Sequence, residues 1–418
     1  MGRAKRDIFT GIEIGTGSVK VAMAEFEEDD GLRVRGLGQE SVPLHKVVKG
    51  EVADAEAVVE LLARACSAAE KMAGRHLGRM FLAVTGSHIK SMNNPGRVRV
   101  ARQDRQITDD DVIAANANAR DFPLPIGKQL INHWDRRYLV DDCRETLNPI
   151  GLIGDLVEAE IHIVYGQTNN IMTSSQLVAD LINQAPSALF YSGIASGYSL
   201  FTPAQMQRGV LVVDLGAGVT EYVVFHGPGV FHSGQITVGC QQIVNDLSLG
   251  LQLPYAKCQK ILNALGEYGS AIMRLDSKRC LEVEALGQAP RRLPCSTIET
   301  IVELRLRELF ELIRDELREQ GAWSRLGVGA VLTGGGALIP QIDKLAQQVF
   351  SAPVAVGVPR QVKTDAGGTL DPRWATPLGL IRLGAFALDI ESYQPSLWQL
   401  VGGDLKKAKD LIARAFRW

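Results

Sequence analysis

The sequence contains no run of eighteen consecutive apolar residues, so no stretch of it is expected to span a bilayer. It has little net charge, −2 overall, which gives the body of the protein no reason to bind nucleic acid. It also lacks closely spaced cysteines. Cys66, Cys143, Cys240, Cys258, Cys280 and Cys295 are scattered, with no Cys-x-x-Cys pair and no histidine cluster beside them. Zinc sites and disulfide frameworks need tighter or more regular spacing, so these read as reduced thiols in a cytosolic protein. The start, Met1-Gly-Arg-Ala-Lys-Arg-Asp, runs into a strand-like stretch too short for the core of a signal peptide.

What is present is ordinary for a globular protein: 46% hydrophobic and 22% charged residues, which argues against disorder. A chain of 418 residues is roughly three modal domains long, so two or more packed lobes are expected.

Residues 8–14 read as a strand, broken by Gly15-Thr16-Gly17-Ser18, with a second strand over Val19–Phe26. The glycine-containing break predicts a tight hairpin. Val58, Leu61, Leu62, Ala65 and Ala69 recur at helical spacing within 52–73, and Phe81–Thr85 reads as a short buried strand. From 86 to 165 the character is more polar, with Thr108 a helix N-cap before three acids and an alternating strand over Val157–Val164. This stretch reads as an inserted subdomain. Gly209–Phe225 then repeats the plan of 8–26: an apolar strand with a late acid, a glycine-rich hairpin, and a second apolar strand. Such self-similarity predicts two lobes on one plan. A long helix is expected over 297–320, and a strand over Gly327–Leu332 leads into Gly334-Gly335-Gly336 and a helix from about Pro340.

Phosphate binding needs backbone N–H groups that approach closely, and only small residues allow it. Two such tips occur, Gly15–Ser18 and Gly216–Thr220, one per lobe. Each follows a strand carrying an acid, Glu13 and Asp214, that would hold Mg²⁺ through water. Lys20 is placed to reach a phosphate oxygen. A third loop, Thr333–Gly336, offers bare backbone where an adenine or an α-phosphate would pack. One glycine loop alone is a weak signal, since glycines commonly just make hairpins; three in this order point to a nucleotide.

Ile12–Lys20, Val213–Thr220 and Leu332–Pro340 resemble the two phosphate motifs and the adenosine motif of the actin superfamily. Within it, Phe81–Ile89 and Asn148–Ile163 are similar to the signatures that open and close the extra subdomain of the FtsA family of bacterial division proteins. The resemblance implies an α/β, actin-like two-lobed ATPase fold with an inserted subdomain in the first lobe and a C-terminal amphipathic helix. Its parts would be the first-lobe core (1–85 and 166–203), the insertion (86–165), the second-lobe core (204–235 and 328–390), an outer subdomain (236–327), a linker (391–403) and the terminal helix (404–418). It implies that ATP touches Gly15, Thr16, Gly17, Ser18, Lys20, Asp214, Gly216, Ala217, Gly218, Val219, Thr220, Gly239, Lys260, Gly334, Gly335 and Gly336, with Mg²⁺ near Glu13 and Asp214. It further implies filaments of the chain with itself, contact with other division proteins, and docking of the tail of the tubulin-like protein FtsZ on helix 297–320, where Glu303 and Arg305 match the family's stretch.

Three departures matter. Ala217 stands in place of a glycine, and Val219 in place of a threonine that would offer a hydroxyl. Lys257 and Lys260 occupy the helix where the family has a glutamate and then a lysine. Between Tyr191 and Leu200 there is no Gln, Glu or Asp to orient a hydrolytic water. No catalytic residue is assigned, and ATP binding with slow or negligible turnover is expected.

On a helical wheel, Leu405, Ala408, Leu411, Ile412, Ala415, Phe416 and Trp418 share one side, and Lys406, Lys407, Lys409, Asp410, Arg414 and Arg417 lie on the other, with Ala413 among them. An apolar face, a cationic face and a terminal tryptophan describe a helix lying in a lipid interface. The plainer alternative is a helix docked on its own domain; Gly402-Gly403 and the cationic face argue against it. Burying five large side chains contributes about 5 kcal/mol, and each cation near anionic lipid about 1 kcal/mol. One tail would hold weakly, and a filament of tails firmly. The expected location is the cytoplasmic face of the bacterial inner membrane at the division site. An actin-like pilus-assembly protein and a sugar or acetate kinase are the rival readings; the kinase would need a catalytic carboxylate facing a substrate pocket.

Overall fold

The computed structural model describes residues 7–27, 31–227, 229–267, 280–283, 291–365 and 370–393. The amphipathic segment 404–418 and residues 394–403 of the expected linker lie outside the described residues.

The first lobe opens with β1 (Phe9–Ile14) and β2 (Ser18–Phe26), antiparallel with Glu13 opposite Lys20. Gly15 N donates to Ser18 O at 3.0 Å and closes the tight turn. After β3 (Leu32–Ser41) and the small hairpin β4 (Val47–Val48) and β5 (Glu51–Val52) comes α1 (Ala55–Ala73). The Asp54 carboxylate caps α1 by accepting from Ala57 N at 3.0 Å, and the helix buries the expected Val58, Leu61, Leu62, Ala65 and Ala69. Strand β6 (Arg79–Val84) lies parallel to β1.

The inserted segment then builds its own antiparallel sheet from β7 (Lys90–Arg99), β8 (Lys128–Val140), β9 (Arg144–Thr146) and β10 (Leu156–Gln167), in the order β7-β10-β8-β9. Its helix α2 (Asp109–Arg120) starts at Thr108, whose N–H donates to Asp111 at 2.8 Å, a capping box. This sheet touches both lobes. Asn132 Nδ2 donates to Leu189 O in the first lobe, while Ser91 Oγ donates to Ser233 O and Arg136 Nε to Phe231 O in the second.

The chain returns through α3 (Thr168–Ile182), β11 (Ala188–Tyr191), α4 (Ser192–Leu200) and α5 (Pro203–Gln207). The second lobe repeats the first. Strands β12 (Val210–Leu215) and β13 (Thr220–His226) form a hairpin, followed by β14 (Gly229–Ile236). Helices α6 (Cys240–Leu251) and α7 (Tyr255–Glu267), the short strands β15 (Cys280–Val283) and β16 (Arg291–Pro294), and α8 (Cys295–Glu319) form its outer part. Strand β17 (Gly329–Thr333) lies parallel to β12, as β6 does to β1, and α9 (Ile342–Phe350) and β18 (Val354–Val356) complete a sheet ordered β14-β13-β12-β17-β18. Strand β19 (Val362–Thr364) crosses back to pair with β3, giving the first-lobe sheet β11-β6-β1-β2-β3-β19.

The last described helix, α10 (Ala375–Tyr393), wedges between α4 and β1. A Cβ on Gly379 would lie 1.7 Å from Ala195 O, and one on Gly11 2.0 Å from Pro377 O, so the helix settles on bare backbone at both crossings. It runs through Tyr393, three residues into the stretch expected to be linker, because turns of α10 continue beyond Glu391. No helix among the described residues is long and apolar enough to cross a membrane.

Candidate functional site

The two hairpin tips and the third loop line one cavity of about 740 Å³ between the two sheets. The tips meet: a Cβ on Gly17 would lie 2.9 Å from the Ala217 Cβ, and one on Gly218 would lie 2.5 Å from Thr16 Oγ1. Side chains larger than these would force the lobes apart. Of the residues expected at the site, Glu13, Gly15, Thr16, Gly17, Ser18, Lys20, Asp214, Gly216, Ala217, Gly218, Val219, Lys260, Gly334, Gly335 and Gly336 all line this cavity.

Thr220 and Gly239, also expected there, are not among the residues lining the cavity. Side chains alternate across a strand, so Val219 and Glu221 face the cavity while Thr220 turns away and donates to Val238 O at 2.8 Å. Gly239 stands behind the second hairpin at the start of α6; a Cβ there would lie 2.6 Å from Ala217 O. It supports the loop from outside. Thr16 also has a structural role, since its hydroxyl oxygen accepts from Gly50 N at 2.8 Å and ties the β4–β5 hairpin to the first tip.

The floor of the cavity carries acids in a row. Glu13 is paired with Lys20, Nζ to Oε2 3.0 Å, so the lysine sits in the wall already matched to a carboxylate. Asp214 Oδ2 accepts from Thr376 Oγ1 at 3.0 Å. Burial first, and then the charge of Glu13, push Asp214 up to about 6. Glu221 is pushed up to about 8, again by burial first and then by Asp214. Its two oxygens accept from Thr85 Oγ1 at 2.7 Å and from Ser192 Oγ.

Sequence reasoning looked for a carboxylate within 191–200 and found none. Glu221 brings one to the same place from the opposite lobe, against Ser192 at the start of α4. Sequence reasoning passed over Glu221; alternation from Val219 is the signal that would have found it. The reading also missed Asp371 and Arg373, which line the cavity from the turn preceding α10, and Thr376 in the first turn of α10. No group of three or more His, Cys, Asp or Glu among the described residues is arranged to hold a metal ion directly.

Away from the cavity, Arg305 on α8 is clamped by Asp246 of α6, Nε to Oδ2 2.6 Å and Nη2 to Oδ1 3.0 Å, and reaches Glu308. Glu303 accepts from Arg307 at 2.8 Å. Between them Leu304 is 61% exposed, and Leu249 on α6 is 78% exposed.

Comparison with known proteins adds two family matches. The model of "Cell division protein FtsA" matches residues 211–379, and that of "SHS2 domain inserted in FTSA" matches residues 86–165. The cell division protein FtsA of Pseudomonas aeruginosa is 29% identical over 384 residues, covering 90% of this chain and 89% of its own. That of Escherichia coli K12 is 29% identical over 390 residues, covering 91% and 90%. Among solved structures, a PilM-PilN type IV pilus biogenesis complex superposes with a TM-score of 0.62 at 15% identity, over 91% of this chain and 99% of that one. MreB5 of Spiroplasma citri bound to ADP superposes with a TM-score of 0.51 at 12% identity, over 95% and 99%. At these identities the structural likenesses speak to the fold, which is actin-like.

Proposed function

The chain belongs to the FtsA family of cell division proteins, and from that premise we propose that it binds ATP with Mg²⁺ between its lobes, assembles into filaments with its own copies, and ties the FtsZ ring to the cytoplasmic face of the inner membrane. The observation that carries the nucleotide is the convergence of both hairpin tips and Gly334–Gly336 on one cavity. MreB5, of the same fold, holds ADP. Backbone N–H groups at the tips would cradle the phosphates.

Glu13 and Asp214 would hold Mg²⁺ through its waters. The fit lies in their mutual repulsion, which together with burial raises Asp214; a divalent cation would relieve it. Its chemistry there would be to neutralise phosphate charge. Lys20 would divide its charge between Glu13 and the nucleotide.

The FtsZ tail would dock on α8 beside Glu303 and Arg305, where exposed Leu304 and Leu249 supply apolar contact. Other division proteins would meet the insertion or the filament surface. Leu405, Lys406, Lys407, Leu411, Ile412, Phe416 and Trp418 would form the lipid-facing helix. The lobe cores, the insertion over 86–165 and the outer part over 236–327 would move as the units of this assembly. Against the kinase reading, the carboxyl group nearest Ser192 has its two oxygens taken by the Thr85 and Ser192 hydroxyls rather than left free for a substrate hydroxyl.

The test is reconstitution. Full-length protein with Mg-ATP and anionic vesicles should form filaments on the lipid and bring a peptide of the FtsZ tail to the floating fraction. Recruitment that needs neither nucleotide nor vesicles contradicts the proposal.

A further inference from the structure

The turn ahead of α10 brings a cation into the cavity that none of the glycine motifs contains. Pro372 O accepts from Gly334 N at 3.3 Å and from Thr333 Oγ1 at 3.0 Å, so the turn is fastened to the third loop rather than to either phosphate hairpin. Asp371 opens the turn and accepts from Arg373 N at 2.9 Å. The same carboxylate takes the Arg373 side chain in a fork: Nε lies 3.1 Å from both oxygens and Nη2 lies 2.6 Å from Oδ2. Both side chains line the cavity, and that of Arg373 is 41% exposed.

We propose that Arg373 is a nucleobase contact, its guanidinium held flat by Asp371 so that a purine stacks on it beside the Gly334–Gly336 loop. The inference rests on the nucleotide reading above and deepens it. A forked carboxylate partner fixes the plane of a guanidinium and meets its charge, which suits the group to stacking better than to gripping a phosphate. The neighbouring loop supplies the complementary surface: a Cβ added to Gly335 meets no atom within 4 Å, so its backbone is bare toward the cavity. The phosphates have their own partners in the two hairpin tips and Lys20, which line the same cavity.

The experiment measures the affinity of the full chain for Mg-ATP, ADP and adenosine, the last as a competitor of a fluorescent ATP analogue, for wild type, Arg373→Ala and Arg373→Lys. Stacking predicts that Arg373→Ala weakens all three ligands by the same factor, about tenfold. Arg373→Lys keeps the charge and loses the plane, so it should restore little. Equal melting temperatures without ligand should accompany this, and Arg373→Lys decides the matter if the alanine variant folds poorly. Loss confined to ATP and ADP, with adenosine unaffected or with lysine restoring the affinity, makes Arg373 a phosphate contact and overturns the inference. Unchanged affinities in a wild type that binds ATP overturn this inference alone. A wild type that binds no ATP fails the proposed function, and this inference with it.

Discussion

Thr85 Oγ1 donates a hydrogen bond to Glu221 Oε1 at 2.7 Å, joining the end of β6 in the first lobe to β13 in the second across the floor of the cavity. Ser192 Oγ, also in the first lobe, donates to the other carboxyl oxygen. Glu221 is thus a second-lobe acid held by first-lobe hydroxyls. Closure of the cleft and the proton on this acid are therefore linked.

The consequence for stability is directional. Burial holds the folded Glu221 at about 8, against an ordinary value of 4.5. As pH rises from about 4.5 to about 8 the unfolded chain gives up this proton and the folded chain keeps it. The group therefore removes stability progressively through that window and removes no more above it. Each tenfold difference in proton affinity is worth about 1.4 kcal/mol. Glu221→Gln keeps the shape without the titration, so its melting temperature should match wild type near pH 4.5 and exceed it by several degrees at pH 8. A difference that does not change with pH refutes the buried acid.

Turnover follows from the same pair of hydrogen bonds. Both Glu221 oxygens already accept from the Thr85 and Ser192 hydroxyls and Val219 has no hydroxyl, so neither is well placed to orient an attacking water. Phosphate release at pH 7 should stay below about 1 s⁻¹, the lower end for active phosphotransfer enzymes. In the sequence the reason is the absence of an acid in 191–200; in the structure it is that the acid which arrives there from β13 has both oxygens engaged by first-lobe hydroxyls. Rates at or above that value in the purified full chain contradict both.

The third loop gives a steric test in which folding and binding separate. Gly334 has φ 80° and Gly336 faces the Cys240 sulfur, so side chains at either position disturb the protein itself. Gly335 has nothing within 4 Å of an added Cβ. Gly335→Val should therefore melt within a degree or two of wild type while its ATP affinity falls by at least about tenfold, because the valine occupies the space of the ligand. Normal ATP affinity in a folded Gly335→Val protein would show that the nucleotide does not lie against this loop.

Those loops were legible in the sequence because their chemistry is local. A Gly-Thr-Gly-Ser break between apolar strands makes a hairpin wherever it is placed, and its recurrence at 216–219 fixed the two-lobed plan. Thr220 was assigned to the site because it ends the motif, yet alternation along β13 turns it away, and Glu221 takes the inward position. Glu221 was passed over for its neighbour Thr220, and its partners could not be read at all. Thr85 and Ser192 lie on another lobe, and only closure of the two sheets brings them together. Asp371, Arg373 and Thr376 were hidden for a related reason. They reach the cavity only because β19 carries the chain back to the first sheet and α10 packs on α4. The helical residues 391–393 were read as linker because Glu-Ser-Tyr carries no periodic apolar signal, and α10 simply continues through them.

The tail is the part on which the membrane proposal stands. Placed on a helical wheel, Leu405, Leu411, Ile412, Phe416 and Trp418 would share one side of 404–418, with Lys406, Lys407, Lys409, Asp410, Arg414 and Arg417 opposite. Such a segment gains its helical structure from the interface, so the isolated 404–418 peptide should be largely unstructured in buffer and helical on anionic vesicles, as read by circular dichroism. Deleting 404–418 removes only residues beyond the Gly402-Gly403 pair, and the remaining chain should keep its melting temperature and its ATP affinity. It should cease to float with vesicles. An Ile412→Glu/Phe416→Glu double variant should behave the same way at full length, because inserting a carboxylate requires stripping its water. Replacing Lys406, Lys407 and Lys409 by Gln should instead weaken flotation in proportion to the anionic lipid content, and raising salt should reproduce the effect in wild type. If the truncated chain floats as well as the intact one, the attachment lies elsewhere in the protein and the tail is a helix packed on its own domain.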